Sequence, residues 1–267
     1  MSKKKRNVEQ FPEYLIQQWE ANDCVNFGIA LSRITGWILH VDWWSPTEKY
    51  EKEENMKPLR VYVGNNSNQI YDLRGKFTID SFTTNIIMPI LKKRGGTTGR
   101  ISSRYYDEKM IFELPLRIKP NEIKILEACD FINKNKLFLD KIPKRVEPRV
   151  PAYIASRFTF GKCNAFAAAL SDLKGFKATA IIAKKYNPII ANNKLGYVHS
   201  FVLDQDNNAI DVWGKDTIEN IAKRFEVEVF ELNESEHMTR NQLLKNEYPD
   251  RYEELYNESV RIINEYF

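Results

Sequence analysis

The sequence predicts an α+β protein made of two tandem copies of one unit. Three observations carry that expectation. Cys24, Phe27, Ala30, Leu31, Ser32 and Gly36 return as Cys163, Phe166, Ala169, Leu170, Ser171 and Gly175, each 139 positions later. The same offset takes Pro12 and Tyr14 to Pro151 and Tyr153, and Asp72, Gly75, Lys76, Thr78 and Ile79 to Asp211, Gly214, Lys215, Thr217 and Ile218. Within each copy a helical apolar period gives way to short strands joined by polar turns, the order of an α+β unit. The expected domains are residues 10–140 and 148–267, each a Cys-bearing helix packed on an antiparallel sheet. Each is long enough to bury a core without a disulfide or a metal.

The elements follow in order. Phe27, Ala30, Leu31 and Ile34 fall at i, i+3, i+4 and i+7, and Phe166, Ala169, Leu170 and Leu173 repeat the stripe, so each predicts a helix with these four on its buried face. Gly36 and Gly175 stand where a left-handed C-cap would close it. Strands are expected at 37–41 and 178–183. A hairpin follows in each copy: 59–63 and 69–73 about a turn at Gly64 to Asn68, and 197–203 and 209–213 about a turn at Asp204 to Asn208. Asn and Asp crowd both turns, as hairpin chemistry requires. The copies then diverge. Residues 88–118 predict two strands with no partner in the second copy, around the loop Gly95-Gly96-Thr97-Thr98-Gly99-Arg100, which lacks the Gly-Lys-Ser/Thr ending of a phosphate loop. A helix at 121–135, a Pro- and charge-rich linker from Leu137 to Pro151, and acidic, Tyr-rich helices over 239–267 complete the reading.

Composition narrows the function. A net charge of +4 over 267 residues is too small to argue for nucleic acid. The basic start Met1-Ser2-Lys3-Lys4-Lys5-Arg6 leads into Phe11-Pro12-Glu13 and not into an apolar stretch, so it reads as a solvated tail and not as a signal peptide. No run reaches the roughly 18 apolar residues of a membrane span. Three cysteines at no disulfide-like spacing point to a reducing compartment, with the cytoplasm as the expected location.

One exchange within the repeat carries the chemistry. His199 in the second copy faces Arg60 in the first, while Cys163 and Asp211 match Cys24 and Asp72. Cys, His and Asp are the inventory of a thiol nucleophile, its base and the base's orienter. A Cys in the first turn of a helix meets the positive end of the helix dipole, which favours thiolate. His199 and Asp211 stand on adjacent hairpin strands, where cross-strand neighbours lie about 5 Å apart. Arg60 cannot serve as a base, because guanidinium stays protonated. Its expected role is a salt bridge to Asp72, leaving the first copy degenerate. His40 there is expected to be a strand residue, and Trp37, Trp43 and Trp44 are candidates for an aromatic binding surface. Asp72 and Asp211 each precede a glycine by three positions, so turn formation competes with an orienting role. Metal binding by Cys163, His199 and Asp211 lacks a close-spaced ligand pair, so neither metal nor cofactor is expected.

The run Gly161-Lys162-Cys163-Asn164-Ala165-Phe166-Ala167-Ala168-Ala169-Leu170, followed by Gly175-Phe176-Lys177-Ala178, resembles the Gly-x-Cys-x-x-Phe-Ala…Gly-Ile-x-Ala signature of the transglutaminase-like core, part of the broader papain-like fold. His199-Ser200-Phe201-Val202 is similar to that family's His-Ala-Trp-x-Glu strand, and Ala209-Ile210-Asp211 to its final Val/Ile-Asp strand. Ser200 and Phe201 depart from the usual Ala-Trp, and Val212-Trp213-Gly214 stands where Pro-Thr would follow the Asp. The resemblance implies Cys163 as nucleophile, His199 as general base and acid, and Asp211 as orienter. It leaves peptidase, transferase and deamidase open, on a protein or peptide substrate. The Cys163 amide is the default oxyanion donor; Tyr153, ten residues before the Cys as Tyr14 is before Cys24, and Asn164 rank second. The competing expectation is a non-enzymatic tandem binding or inhibitor protein, of phage or bacterial type, that keeps the fold.

Overall fold

The computed structural model describes residues 11–47, 49, 51–65, 69–96, 99–146, 150–187 and 194–267. The basic start, the tip of the 64–68 turn, Thr97 and Thr98 of the glycine-rich loop and part of the 137–151 linker lie outside the described residues. The chain divides into two compact units, Met1–Lys144 and Arg145–Phe267. Both mix helices with one five-stranded sheet, and every strand pairing is antiparallel.

The first unit runs α1 (Glu13–Ala21), α2 (Val25–Thr35), β1 (Ile38–Ser45), β2 (Lys57–Gly64), β3 (Gln69–Asp72) and β4 (Gly75–Thr78). It continues through α3 (Ile79–Phe82), a π-helical turn (Thr83–Ile87), α4 (Met88–Lys93), β5 (Arg100–Tyr106), α5 (Glu108–Glu113), α6 (Glu122–Lys134) and α7 (Lys136–Leu139). The second unit runs α8 (Ala152–Thr159), α9 (Cys163–Lys174), β6 (Lys177–Tyr186), β7 (Gly196–Leu203), β8 (Ala209–Asp211) and β9 (Gly214–Asp216). Then come α10 (Ile218–Arg224), β10 (Val227–Leu232), α11 (Glu234–Glu247) and α12 (Pro249–Tyr266). The sheet orders are β4-β3-β2-β1-β5 and β10-β6-β7-β8-β9, the same path through the fold once the second is read from its other edge.

The repeat extends to the local chemistry of each element. Pro12 and Pro151 precede α1 and α8, where proline's fixed φ suits helix entry. Gly36 and Gly175 close α2 and α9 at φ 76° and 69°, a left-handed cap that glycine adopts without cost. Thr78 and Thr217 cap α3 and α10 by accepting from the amides of Ser81 and Asn220. Phe27, Ala30 and Leu31 are buried, as are Phe166, Ala169 and Leu170. α2 packs on β2 and α6, and α9 packs on β7 and α12.

One packing exchange separates the copies beside the site. An added Cβ at Gly28 would stand 2.9 Å from Val61 Cγ1, so the bare backbone is what admits the valine. The matching positions in the second unit are Ala167 and Ser200: there the helix carries the methyl and the strand the smaller side chain.

Five expectations are corrected. Residues 88–118 contain one strand, β5, and not two, because the flanking segments coil into α4 and α5. That strand has a counterpart after all: β5 pairs with β1 as β10 pairs with β6. The 139-residue offset does not find it, because the helical segment after Thr78 is longer than α10 and shifts the register. Leu173, in the last turn of α9, is 43% exposed and not on the buried face. Trp37 and Trp43 are buried and form no aromatic surface; Trp44 lies half-buried beneath the Lys57 ammonium. The linker is shorter than expected, since α7 occupies 136–139 and Arg145 and Val150 are buried in the second unit.

Candidate functional site

The site is assembled from α9 and the β7–β8 hairpin. Cys163 is the first residue of α9, a twelve-residue helix whose dipole favours negative charge at its N-terminus. β7 and β8 pair Val202 with Ile210 and Leu203 with Ala209. Continued one step, that register sets Asp211 opposite Phe201, so His199 reaches Asp211 along the diagonal on the same sheet face. His199 Nε2 lies 3.0 Å from Asp211 Oδ2. Asp211 is fixed from two further directions: Arg224 Nη1 donates to Oδ2 at 2.9 Å, and the Trp213 amide donates to Oδ1 at 2.8 Å. The amide bond is the turn-forming contact expected of this Asp, so one carboxylate serves both roles.

All three side chains are buried: Cys163 is 4% exposed, Asp211 2% and His199 0%. Burial opposes charge on each, yet the partners outweigh it. Against burial, the Arg224 guanidinium and the His199 bond hold Asp211 down to about 2. Burial would lower His199, but the Cys163 charge and the Asp211 bond raise it to about 9. Burial would raise the Cys163 thiol, but the His199 charge, the Tyr197 hydroxyl and the Ser200 amide bring it below its ordinary value. Both shifts run in the direction of a thiolate beside an imidazolium. With Nε2 committed to Asp211, Nδ1 is buried without a hydrogen-bond partner among the described residues, and the Cys163 sulfur is the charge that acts on the ring. Phe225 lies against the imidazole at 4.8 Å between centroids, and the exposed Phe160 meets Phe225 edge-on at 5.7 Å.

Sequence reasoning missed Tyr197, Arg224 and His237. The Tyr197 hydroxyl lies 3.4 Å from Cys163 Sγ and 3.0 Å from Ser200 Oγ. Ser200 Oγ lies 3.0 Å from His237 Nδ1, and His237 Nε2 lies 2.9 Å from Asn241 Nδ2. Arg240 covers the Tyr197 ring at 5.1 Å. Tyr197 has Pro58 at its matching position and Arg224 has Asn85, so the repeat could not flag either. Ser200, noted as a departure from the usual alanine, was the available signal: a hydroxyl in a buried strand demands partners. The hydroxyl at the thiol is thus Tyr197's; Tyr153 makes no hydrogen bond to Cys163 among the described residues. Asn164 is buried in the first turn of α9, and among the described residues its side chain makes no hydrogen bond to Cys163.

In the first unit Cys24 is not in the helix proper. It caps α2 in a left-handed conformation, φ 58°. Arg60 donates through Nε and Nη2 to both oxygens of Asp72 at 3.0 Å each, and Nη2 also reaches Glu20 at 3.2 Å. Burial pushes the Cys24 thiol far up, and the Arg60 charge does not offset it. His40 is half-buried, its imidazole pushed down to about 4 by desolvation and its ring stacked on Tyr62 with centroids 5.4 Å apart.

Comparison of the chain with family models, with curated proteins and with solved structures finds no match in any of the three. Among the described residues no helix is long and apolar enough to cross a membrane.

Proposed function

We propose that both units are transglutaminase-like domains of papain-like type, and that the second performs thiol-dependent acyl chemistry on an amide or ester carbonyl. The observation that carries this reading is the 3.0 Å His199–Asp211 bond beside a thiol whose proton the imidazole takes. The Cys163 thiolate attacks the carbonyl carbon, and the carbonyl oxygen takes up the electron pair. The Cys163 amide and the Tyr197 hydroxyl, 3.4 Å from the sulfur, would donate to that oxygen. Imidazolium at His199 then protonates the leaving amine or alkoxide as the C–N or C–O bond breaks, giving a Cys163 acyl-enzyme. Water or an amine acceptor, deprotonated by His199, attacks the thioester and releases Cys163. Hydrolysis, deamidation and transfer differ only in that last nucleophile and in the leaving group. Asp211 holds the imidazole in place and stabilises its charge.

The first unit is silent in this reading. Its base is replaced by a permanently charged Arg60 closed on Asp72, and its thiol stays protonated.

A second reading rests on burial: with Cys163 4% exposed and Phe225 on the imidazole, the fold serves as a binding protein that inherited the set for packing. Intact-mass measurement after incubation with an activated ester separates the two. The enzymatic reading expects one acyl group per chain on Cys163 and none on Cys163→Ala; an unmodified wild-type chain supports binding.

A further inference from the structure

The first unit keeps a large cavity of about 990 Å³ at its degenerate centre. Five cationic side chains line it: Arg60, Arg74, Lys93, Arg94 and Arg117. Four carboxylates neutralise part of that charge. Asp72 and Glu20 take Arg60, Glu20 and Glu13 take Arg74, and Asp23 takes both Arg94 and Arg117. Five cations against four anions leave a surplus of one positive charge.

The bonding pattern also presents free donors. Arg60, Arg74 and Arg117 each bind their carboxylate through Nε and Nη2. Among the described residues, Nη1 of these three donates no hydrogen bond. The carboxylates therefore hold three guanidinium forks at fixed orientation with Nη1 unused on each, while Nη2 of Arg60 and of Arg117 also donates to Glu20 and to the Ala21 carbonyl; a fork held in this way binds an oxyanion at little ordering cost. Arg60 is 1% exposed, so its charge is held in a poorly solvated place. Ile86 and Ile90, from the π-helical turn and α4, add apolar lining. That turn belongs to the segment by which the first unit exceeds the second.

The geometry points to a binding site for a small organic phosphate monoester: the phosphate on Arg60, Arg74 and Arg117, the organic body on Ile86 and Ile90. A phosphate monoester carries a charge of about −1.5 to −2 at neutral pH and three acceptor oxygens, one for each free Nη1. A monocarboxylate supplies two oxygens and leaves one Nη1 unmet. The inference is independent of whether Cys163 reacts.

The test is calorimetric titration of the full chain at low ionic strength with phenyl phosphate, inorganic phosphate, benzoate and phenol. Phenyl phosphate is expected to bind saturably and more tightly than inorganic phosphate, which lacks the apolar contact. Benzoate should bind more weakly than either, and phenol not at all. Arg74→Gln should weaken phenyl phosphate about tenfold, the loss of one charge-assisted donor. Should that variant fail to fold, Lys93→Gln combined with Arg117→Gln reads the same effect from side chains nearer the surface. Absence of saturable binding by phenyl phosphate, benzoate binding as tightly, or an affinity unmoved by the foldable variant overturns the proposal.

Discussion

Arg60 closes on Asp72 through two hydrogen bonds of 3.0 Å, in the two positions where the second unit sets His199 Nε2 3.0 Å from Asp211. One sheet diagonal thus carries either a permanent ion pair or a titratable one. The difference decides which unit can move a proton.

The Arg60 pair is buried on both sides, so removing one partner strands the other. Arg60→Met is expected to cost about 3–5 kcal/mol, because Asp72 loses its bidentate partner inside the fold. Urea unfolding of the full chain measures it. A loss below about 1 kcal/mol would show that water reaches Asp72.

Asp211 links stability to pH. Its carboxyl is held down to about 2 from an ordinary 3.8. A depressed acid contributes stability that is fully present above 3.8 and is lost as pH falls through about 2. Asp211→Asn is therefore expected to be less stable than wild type by about 3–5 kcal/mol at pH 6, and the gap should narrow as pH falls below 3.8. Urea unfolding at pH 6, 4 and 3 checks this; a gap independent of pH contradicts it.

Tyr197→Phe removes the hydroxyl 3.4 Å from Cys163 Sγ and leaves the ring that Arg240 covers. The thiolate loses one donor, so the midpoint of Cys163 alkylation by iodoacetamide should move to higher pH with the fold intact. An unchanged midpoint would assign Tyr197 to the Ser200 network alone.

Gly28→Ala places a methyl 2.9 Å from Val61 Cγ1. Overpacking of this kind costs about 1–3 kcal/mol. Adding Val61→Ala should recover part of the loss, a coupling that a double-mutant cycle reads by unfolding. Additive losses would mean that the helix shifts on its own to make room.

Much of the fold was legible because both copies obey the same local rules. Gly36 and Gly175 demand a left-handed cap, Thr78 and Thr217 cap the next helix, and Asp204 folds a turn by accepting from Asp206 and Asn208. The site's three principal residues were legible for a related reason: a substitution inside a repeat stands against an unchanged background. What sequence could not supply were contacts across elements that the repeat does not share. Arg224 reaches Asp211 from α10, and His237 reaches Ser200 from α11. The edge strand β10 escaped because its burial follows no strict alternation, with only Val227 buried among its six residues. Leu173 kept the helical period but met solvent, since periodicity fixes a direction and not a neighbour.

The central claim is that Cys163 is a thiolate held by His199. Thiolate absorbance near 240 nm, followed across pH as the difference between wild type and Cys163→Ser, tests it without requiring a substrate. Cys163 is expected to half-titrate below the ordinary thiol value of 9.0, and His199→Gln should return it upward. A Cys163 that ionises at or above 9.0, unmoved by His199→Gln, would contradict the account.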